Sequence, residues 1–347
     1  MMTVFRKFAL GAVACTGLLS CMTKGDAPAA EDPQGGNGVY YWRTMLQLDS
    51  VERRFLQVND VKRGYVRFFD IVVDKSPMAM DPVMPNATLQ VKDSMPVDEV
   101  IPTVFITVDA MKEMQALESM WAEKIVKRIC NMCSYNGLPS PREVQLDCDW
   151  TGQTNSAFFN LCREVKKELL KVNPKGKVSS TIRLHQLSQT PPPVDYGVLM
   201  VYNTGSFSNP NEYNSILTEA SVKPYMKYLA DYRLDLVYAL PIFKWELAFH
   251  DDKFQGILRS GVNLDNEQLA IPMGNNRYRL TQDTIIGSTR LRPGDVIRKE
   301  MVTPATITAV KRMIERERGD KDISVILYSL DSENISNYTE DEIKQIY

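Results

Sequence analysis

The feature that most constrains this chain is a repeated change of hydrophobic period. Eight short runs of strand type occur at Val39–Arg43, Tyr65–Val72, Ile101–Val108, Glu143–Asp149, Val178–His185, Gly197–Asn203, Leu234–Phe243 and Ser324–Leu330. Segments with apolar residues at helical spacing lie between most of them, at Ser50–Asn59, Ala110–Tyr135, Ser156–Val172, Asn214–Tyr232 and Thr303–Glu317, and one more closes the chain at Glu340–Tyr347. Strands that alternate with helices predict a parallel sheet joined by crossover helices. Eight such units, with insertions, match a (β/α)8 barrel of TIM type, and 347 residues are enough to bury a large core without covalent staples. An open doubly wound sheet is the alternative. It lacks support at the first strand, where Tyr41-Trp42-Arg43-Thr44 stands in place of a glycine-rich phosphate turn.

Three stretches exceed a minimal barrel. They follow strands 2, 5 and 7, at Asp74–Glu99, Leu187–Asp195 and Lys244–Glu300. The last is long enough for strands of its own, around Phe254–Leu258 and Arg277–Leu280. No second domain with its own core is apparent.

The start of the chain reads as an export signal. Arg6 and Lys7 precede an apolar run from Phe8 to Leu19, too short to cross a bilayer, and Leu18-Leu19-Ser20-Cys21 closes it. Residues 22–38, rich in Gly, Ala, Pro and Asp, read as a tether. The predicted organisation is therefore 1–20 signal peptide, 21–38 tether and 39–347 barrel. The Leu18–Cys21 stretch resembles the lipobox of bacterial lipoproteins. That resemblance implies cleavage before Cys21, lipidation of its sulfur, and a place in the cell envelope, held at the outer membrane by the lipid. The alternative is an ordinary signal peptide cut near Ala27–Ala30.

Charge adds an exclusion. With 41 basic and 43 acidic side chains the formal net charge is −2, and no concentrated basic face points to nucleic acid. Cys130, Cys133, Cys148 and Cys162 remain as thiols of the mature chain. Buried free cysteines are the favoured reading for them, ahead of a local disulfide or a metal or redox role for Cys130-Asn131-Met132-Cys133.

Candidate chemistry gathers at the C-terminal ends of the strands, where barrels of this type carry their sites. Alternation along strand 4 sends Val144, Leu146 and Cys148 toward the helices and Gln145, Asp147 and Asp149 inward. On strand 5 the same rule turns Thr181, Arg183 and His185 inward. Arg183 is then placed to pair with Asp147, and His185 to reach Asp149. The competing reading for Asp147 and Arg183 is a buried polar ladder that sets register. Other strand ends supply Trp42, Arg43, Arg67, Asp70, Tyr202, Asn203, Trp245, Glu246 and Asp331. Carboxylates, arginines, amides and flat aromatic faces together suit sugars, which offer hydroxyls on their edges and apolar ring faces. Asp149 and Asp147, with Glu246 or Asp331 as a second carboxyl group and Asp70 as a further option, are the candidate catalytic set, because glycoside hydrolysis by the usual route needs two carboxyl groups across one bond. No cofactor and no metal are implied. GxSxG, GxxxxGK[ST] and HExxH are absent.

Gln145-Leu146-Asp147-Cys148-Asp149-Trp150 resembles the DxxDxDxE strand of family-18 chitinases. The whole chain resembles exported barrel lipoproteins of Bacteroides-type bacteria related to glycosidases. The resemblance implies a glycan ligand and a carboxylate-based reaction. Aligned this way, Asp147 and Asp149 take the two central aspartates, Val144 the first, and Thr151 the position of the catalytic glutamate. A threonine is no general acid, so the resemblance leaves two outcomes open: an acid from another strand end, or a barrel that binds glycans without cleaving them.

Overall fold

The computed structural model describes residues 36–76, 81–258, 261–287, 289–319 and 322–347. The signal segment, Cys21 and most of the tether lie outside the described residues. Residues 36–347 form one compact unit.

Eight parallel strands close into a barrel: β1 Asn37–Tyr41, β2 Val61–Val73, β3 Glu99–Ile106, β4 Glu143–Cys148, β5 Lys177–Arg183, β6 Tyr196–Met200, β7 Leu236–Pro241 and β8 Val325–Tyr328. Closure is made by β1, which pairs with β2 (Tyr41 opposite Val66) and with β8 (Val39 opposite Leu327). The predicted (β/α)8 architecture is therefore the one observed, and the open sheet is excluded. The crossovers carry α1 Ser50–Val58, α2 Val108–Glu113, α3 Glu118–Tyr135, α4 Asn155–Val172, α5 Glu219–Leu229 and α6 Pro304–Glu317, and α7 Ser332–Ile335 and α8 Glu340–Ile346 follow β8. Among the described residues the crossover from β2 to β3 holds no helix. It holds the strand Val83–Asn86, antiparallel to the end of β2, and a short strand Gln90–Val91. No helix of the described residues is long and apolar enough to cross a membrane.

Two buried layers explain the strand sequences. Outward side chains such as Val66, Val104, Leu146, Ile182, Leu240 and Leu327 pack in one large cluster with the helices. On α4 the buried stripe Phe158, Leu161, Val165 and Leu169 supplies the matching face. Inward side chains form a second cluster of Tyr40, Tyr65, Ile101, Tyr196, Val198 and Met200. Burying a large apolar side chain contributes about 1.5–3 kcal/mol, so both layers favour this register over one shifted by a residue. In β2 the alternation is broken on purpose. A bulge between Arg67 and Phe69 turns Phe68 and Phe69 both outward and puts Arg67 and Asp70 on the inner side.

Several predicted elements change. The single helix expected over Ala110–Tyr135 is two, parted at Met114–Leu117, where Ala116 sits at φ +64°. Strand 5 was expected to run to His185, yet it ends at Arg183 and a 3-10 turn, Leu184–Ser188, takes over. The cause is Gln186, fully buried, which accepts from Arg183 N at 2.8 Å and donates to Trp150 O at 2.9 Å. The helix expected from Asn214 starts at Glu219, because Thr218 and Ser221 form a capping box there. The insertion after β7 is richer than expected. Its main sheet orders the strands Lys253–Leu258, Lys244–His250, Val296–Met301, Arg277–Leu280 and Ala270–Gly274, over a small apolar cluster of its own that includes Leu258, Leu280 and Ile297. The four cysteines expected as thiols are free, and burial pushes Cys133 up to about 11.

Candidate functional site

Strand β4 carries a polar rail along the barrel interior. Its inward residues, from the N-terminal end upward, are Glu143, Gln145 and Asp147, all buried, and Asp149 follows just past the strand end. Buried polar groups persist only with partners, and each of these has them. Gln145 Oε1 accepts from Tyr40 Oη at 2.7 Å and Thr103 Oγ1 at 3.3 Å. Asp147 Oδ1 accepts from Thr181 Oγ1 at 2.6 Å and from Arg183 Nη2 at 3.1 Å. Arg183 Nε also reaches Asp149 Oδ1 at 3.3 Å. One guanidinium therefore serves two carboxylates. The lower carboxylate is 3% exposed, whereas the Asp149 side chain is 53% exposed. Burial works against the charge on Arg183, but Asp147, Tyr202, Asp149 and Tyr40 together more than offset it and hold the guanidinium above its ordinary pKa.

Above the rail is a pocket of about 250 Å³, whose lining includes Asp149, Arg183, His185, Met200, Tyr202 and Asn203. Among the described residues Asp149 is its one lining carboxylate. Asn203, at φ +54°, turns the chain away from β6 and is exposed. His185 is exposed on its 3-10 turn. Met200, Thr204 and Tyr225 also line the pocket and were not singled out from sequence. Met200 was within reach of the alternation rule, two positions before Tyr202. Tyr225 comes from helix α5, and no local signal marks a helix residue that leans over a strand end.

An aromatic cluster packs beside the pocket, and of its rings Tyr202 is in the lining. Tyr202 stacks on Tyr328 with centroids 4.7 Å apart, and Tyr328 also contacts Trp42, Tyr40 and Phe243 at 5.6–5.9 Å. Burial raises the Tyr202 and Tyr328 phenols above their ordinary values, and Asp147 adds to the effect on both. They stay neutral donors and acceptors across the physiological range.

The other predicted residues do not line this pocket. Arg67 and Asp70 pair with each other, one contact being Nε to Oδ1 at 2.7 Å, and the Arg67 guanidinium lies 5.5 Å from the Trp42 ring centroid. Arg43 turns to α1, where Nη2 grips the buried Glu52 at 2.7 and 2.8 Å. Asp331 caps α7 by accepting from Glu333 N at 3.0 Å, with Arg43 4.0 Å away. Trp245 and Glu246 belong to the inserted sheet. Trp245 Nε1 donates to Glu300 at 2.7 Å, and its ring meets Phe243 at 5.3 Å. Glu246 accepts from Val262 N at 2.7 Å, and burial raises its carboxyl above the ordinary value. Thr151, aligned with the chitinase glutamate, is exposed and accepts from Gln153 N at 3.3 Å. Among the described residues no group of three or more His, Cys, Asp or Glu is placed to hold a metal ion.

No protein-family model and no curated protein matches the chain. Solved structures do. The spore cortex-lytic enzyme SleL of Bacillus cereus superposes with a TM-score of 0.52 at 11% identity, over 90% of this chain and 74% of that one. A chitinase from Chromobacterium violaceum gives 0.51 at 10% identity, covering 90% and 97%. A GH18 chitinase from the chitin utilization locus of Flavobacterium johnsoniae gives 0.51 at 11% identity, covering 90% and 93%. At these identities the likeness is one of fold.

Proposed function

We propose that this chain is a glycan-binding barrel of glycoside-hydrolase type, and that its mouth holds a sugar without the two-carboxylate machinery of hydrolysis. One observation carries the reading. The pocket at the strand ends is lined by a single carboxylate, Asp149, already engaged by Arg183, beside Tyr202, Asn203 and His185. Hydrolysis by the two-carboxylate route needs a second carboxyl group across the bond, and the substrate-assisted route of family-18 enzymes needs a general acid where this chain has Thr151. The other candidates are held elsewhere: Asp70 by Arg67, Asp331 at a helix cap, Glu246 in the inserted sheet. What remains suits recognition. Arg183 donates, Asp149 accepts, Asn203 does both, and Tyr202 and Tyr225 add ring surface to the lining. The fold neighbours, named as chitinases and a cortex-lytic enzyme, support a sugar as the ligand class.

A second reading, hydrolysis, is supported by the fold neighbours, which are named as chitinases and a cortex-lytic enzyme. The test is a glycan array, then titration calorimetry and a reducing-end assay with the best binder. Saturable binding that releases no reducing ends is expected. Release of reducing ends, lost in Asp149→Asn and Glu246→Gln, would overturn the binding-only reading in favour of cleavage.

The proposal extends to location. The Leu18–Cys21 lipobox supports a barrel tethered to the envelope by lipid on Cys21, at the outer membrane. Metabolic labelling with a fatty-acid analogue should mark the full chain and leave Cys21→Ser unmarked; equal labelling of both removes the anchor.

A further inference from the structure

The crossover from β2 to β3 leaves a second cavity, far larger than the mouth pocket and on the outside of the barrel. Most other crossovers lay a helix over the outward strand residues. Here the described residues supply only the strands Val83–Asn86 and Gln90–Val91. Between them and α3 runs a groove of about 1160 Å³. Its helical wall extends from Trp121 to Tyr135, about 21 Å at the α-helical rise. Phe69, Ile71 and Ile125 floor it, and Val91 and Met132, both part-buried, flank it. The volume matches that of sites for sizeable ligands, and a helical wall of that length can run alongside an extended chain.

Charge on the rim is unequal. Lys92, Lys124, Lys127 and Arg128 line the groove against Asp74 and Asp81. Asp81 is engaged by Lys124 at 3.0 Å. Two donors in the lining are also unsatisfied. The buried Nε1 of Trp121 and Nε of Arg128 have no hydrogen-bond partner, although Arg128 Nη2 donates to Thr88 Oγ1 at 2.9 Å and its guanidinium lies 5.1 Å from the Phe69 ring centroid. A buried N–H without an acceptor is unusual in a folded protein and calls for an explanation. Both belong to the same face of α3 as Lys124, at helical spacings of three and four. An oxyanion brought to this face would meet the ammonium groups of Lys124 and Lys127 and the guanidinium of Arg128.

We propose that the groove binds a single-chain amphiphile with an anionic head. The head takes Lys124, Lys127 and Arg128, and the apolar tail lies along Met84, Val91 and Met132. This site is separate from the barrel mouth and does not depend on the reading of that mouth as a glycan cleft.

The probe is palmitate below its aggregation concentration, titrated into the protein by calorimetry and by tryptophan fluorescence. One saturable site is expected. Hexadecanol, without the charge, and octanoate, with a short tail, should each bind at least about tenfold more weakly. Arg128→Gln should weaken palmitate about tenfold, and Val91→Trp, which fills the groove from its half-buried wall, should abolish binding, with circular dichroism confirming that both variants are folded. Asp149→Asn at the barrel mouth should leave palmitate binding unchanged. Absence of a saturable site, equal affinity for hexadecanol, or loss of binding in Asp149→Asn would each overturn the assignment. So would an acidic amphipathic peptide that binds where palmitate does not, which would make the groove a protein-docking surface.

Discussion

The floor and the mouth of the barrel are built from the same strand and have opposite characters. At the floor, Glu143 is fully enclosed. Arg63 Nη2 reaches it at 2.8 Å, and Ser179 Oγ and Tyr196 Oη each donate to it at 2.5 Å. Tyr196 is further tied to Tyr65 at 2.7 Å. Every oxygen of that carboxylate is spoken for, and no solvent reaches it. Two steps higher, Asp147 is still buried but shares Arg183 with a neighbour, and a further step up Asp149 stands more than half exposed. The polarity of the rail is constant; its accessibility is not. A carboxylate whose partners are all internal fixes register and closure, whereas one that shares a partner and meets solvent is free to engage a ligand.

That contrast can be broken most forcefully at the floor. Arg63→Met leaves Glu143 buried without its cation, and removal of one partner of a buried pair costs about 3–5 kcal/mol. Chemical denaturation should register that loss, and a change below 1 kcal/mol would mean that water or a protonated Glu143 replaces the arginine. At the middle of the rail, Arg183→Met removes a charged hydrogen bond from buried Asp147, expected to cost about 1.5–3 kcal/mol, and should also abolish glycan binding. Full binding by this variant would make the arginine a register device like Arg63. At the top, Asp149→Asn should change stability by less than about 0.5 kcal/mol while weakening glycan binding at least tenfold. If stability falls and binding does not, mouth and floor are alike.

The smallest effect sharpens the contrast by pH. Glu246 lies outside the rail, and burial raises its carboxyl in the folded state. The folded chain then binds more protons than the unfolded chain above about pH 4, so this group's contribution to stability is present below the unfolded carboxylate pKa of about 4.3 and is lost as pH rises through the raised value. Denaturation midpoints measured from pH 4 to 7 should flatten in Glu246→Gln relative to the parent. Identical profiles would return Glu246 to an ordinary carboxylate.

Much of this was legible before any coordinates. The pairing of Asp147 with Arg183 follows from period-2 alternation on two neighbouring strands, and β4 and β5 are regular enough for the rule to hold. The rule weakened where local order broke. Asp70 was read as a strand end, yet the bulge at Phe68 makes it the partner of Arg67, and no residue type announces a bulge. His185 reaches the pocket only because Gln186 ends the strand early, a capture by Trp150 O from another strand end. Arg43 was placed at the rim, but the buried Glu52 draws it to the helix layer.

The sequence by itself determined the number of strands, their inner and outer faces and the polar rail of β4, because each follows from short-range periodicity and from the cost of burying an unpaired polar group. Only the tertiary structure decided which carboxylates share a pocket. Asp331, Glu246 and Asp149 all follow barrel strands, yet a helix cap holds the first, the inserted sheet holds the second, and the third alone opens on the mouth. Those assignments depend on where long loops travel after leaving a strand. Loop paths are set by distant partners such as Glu52, Val262 and Glu300, which no local pattern brings into view.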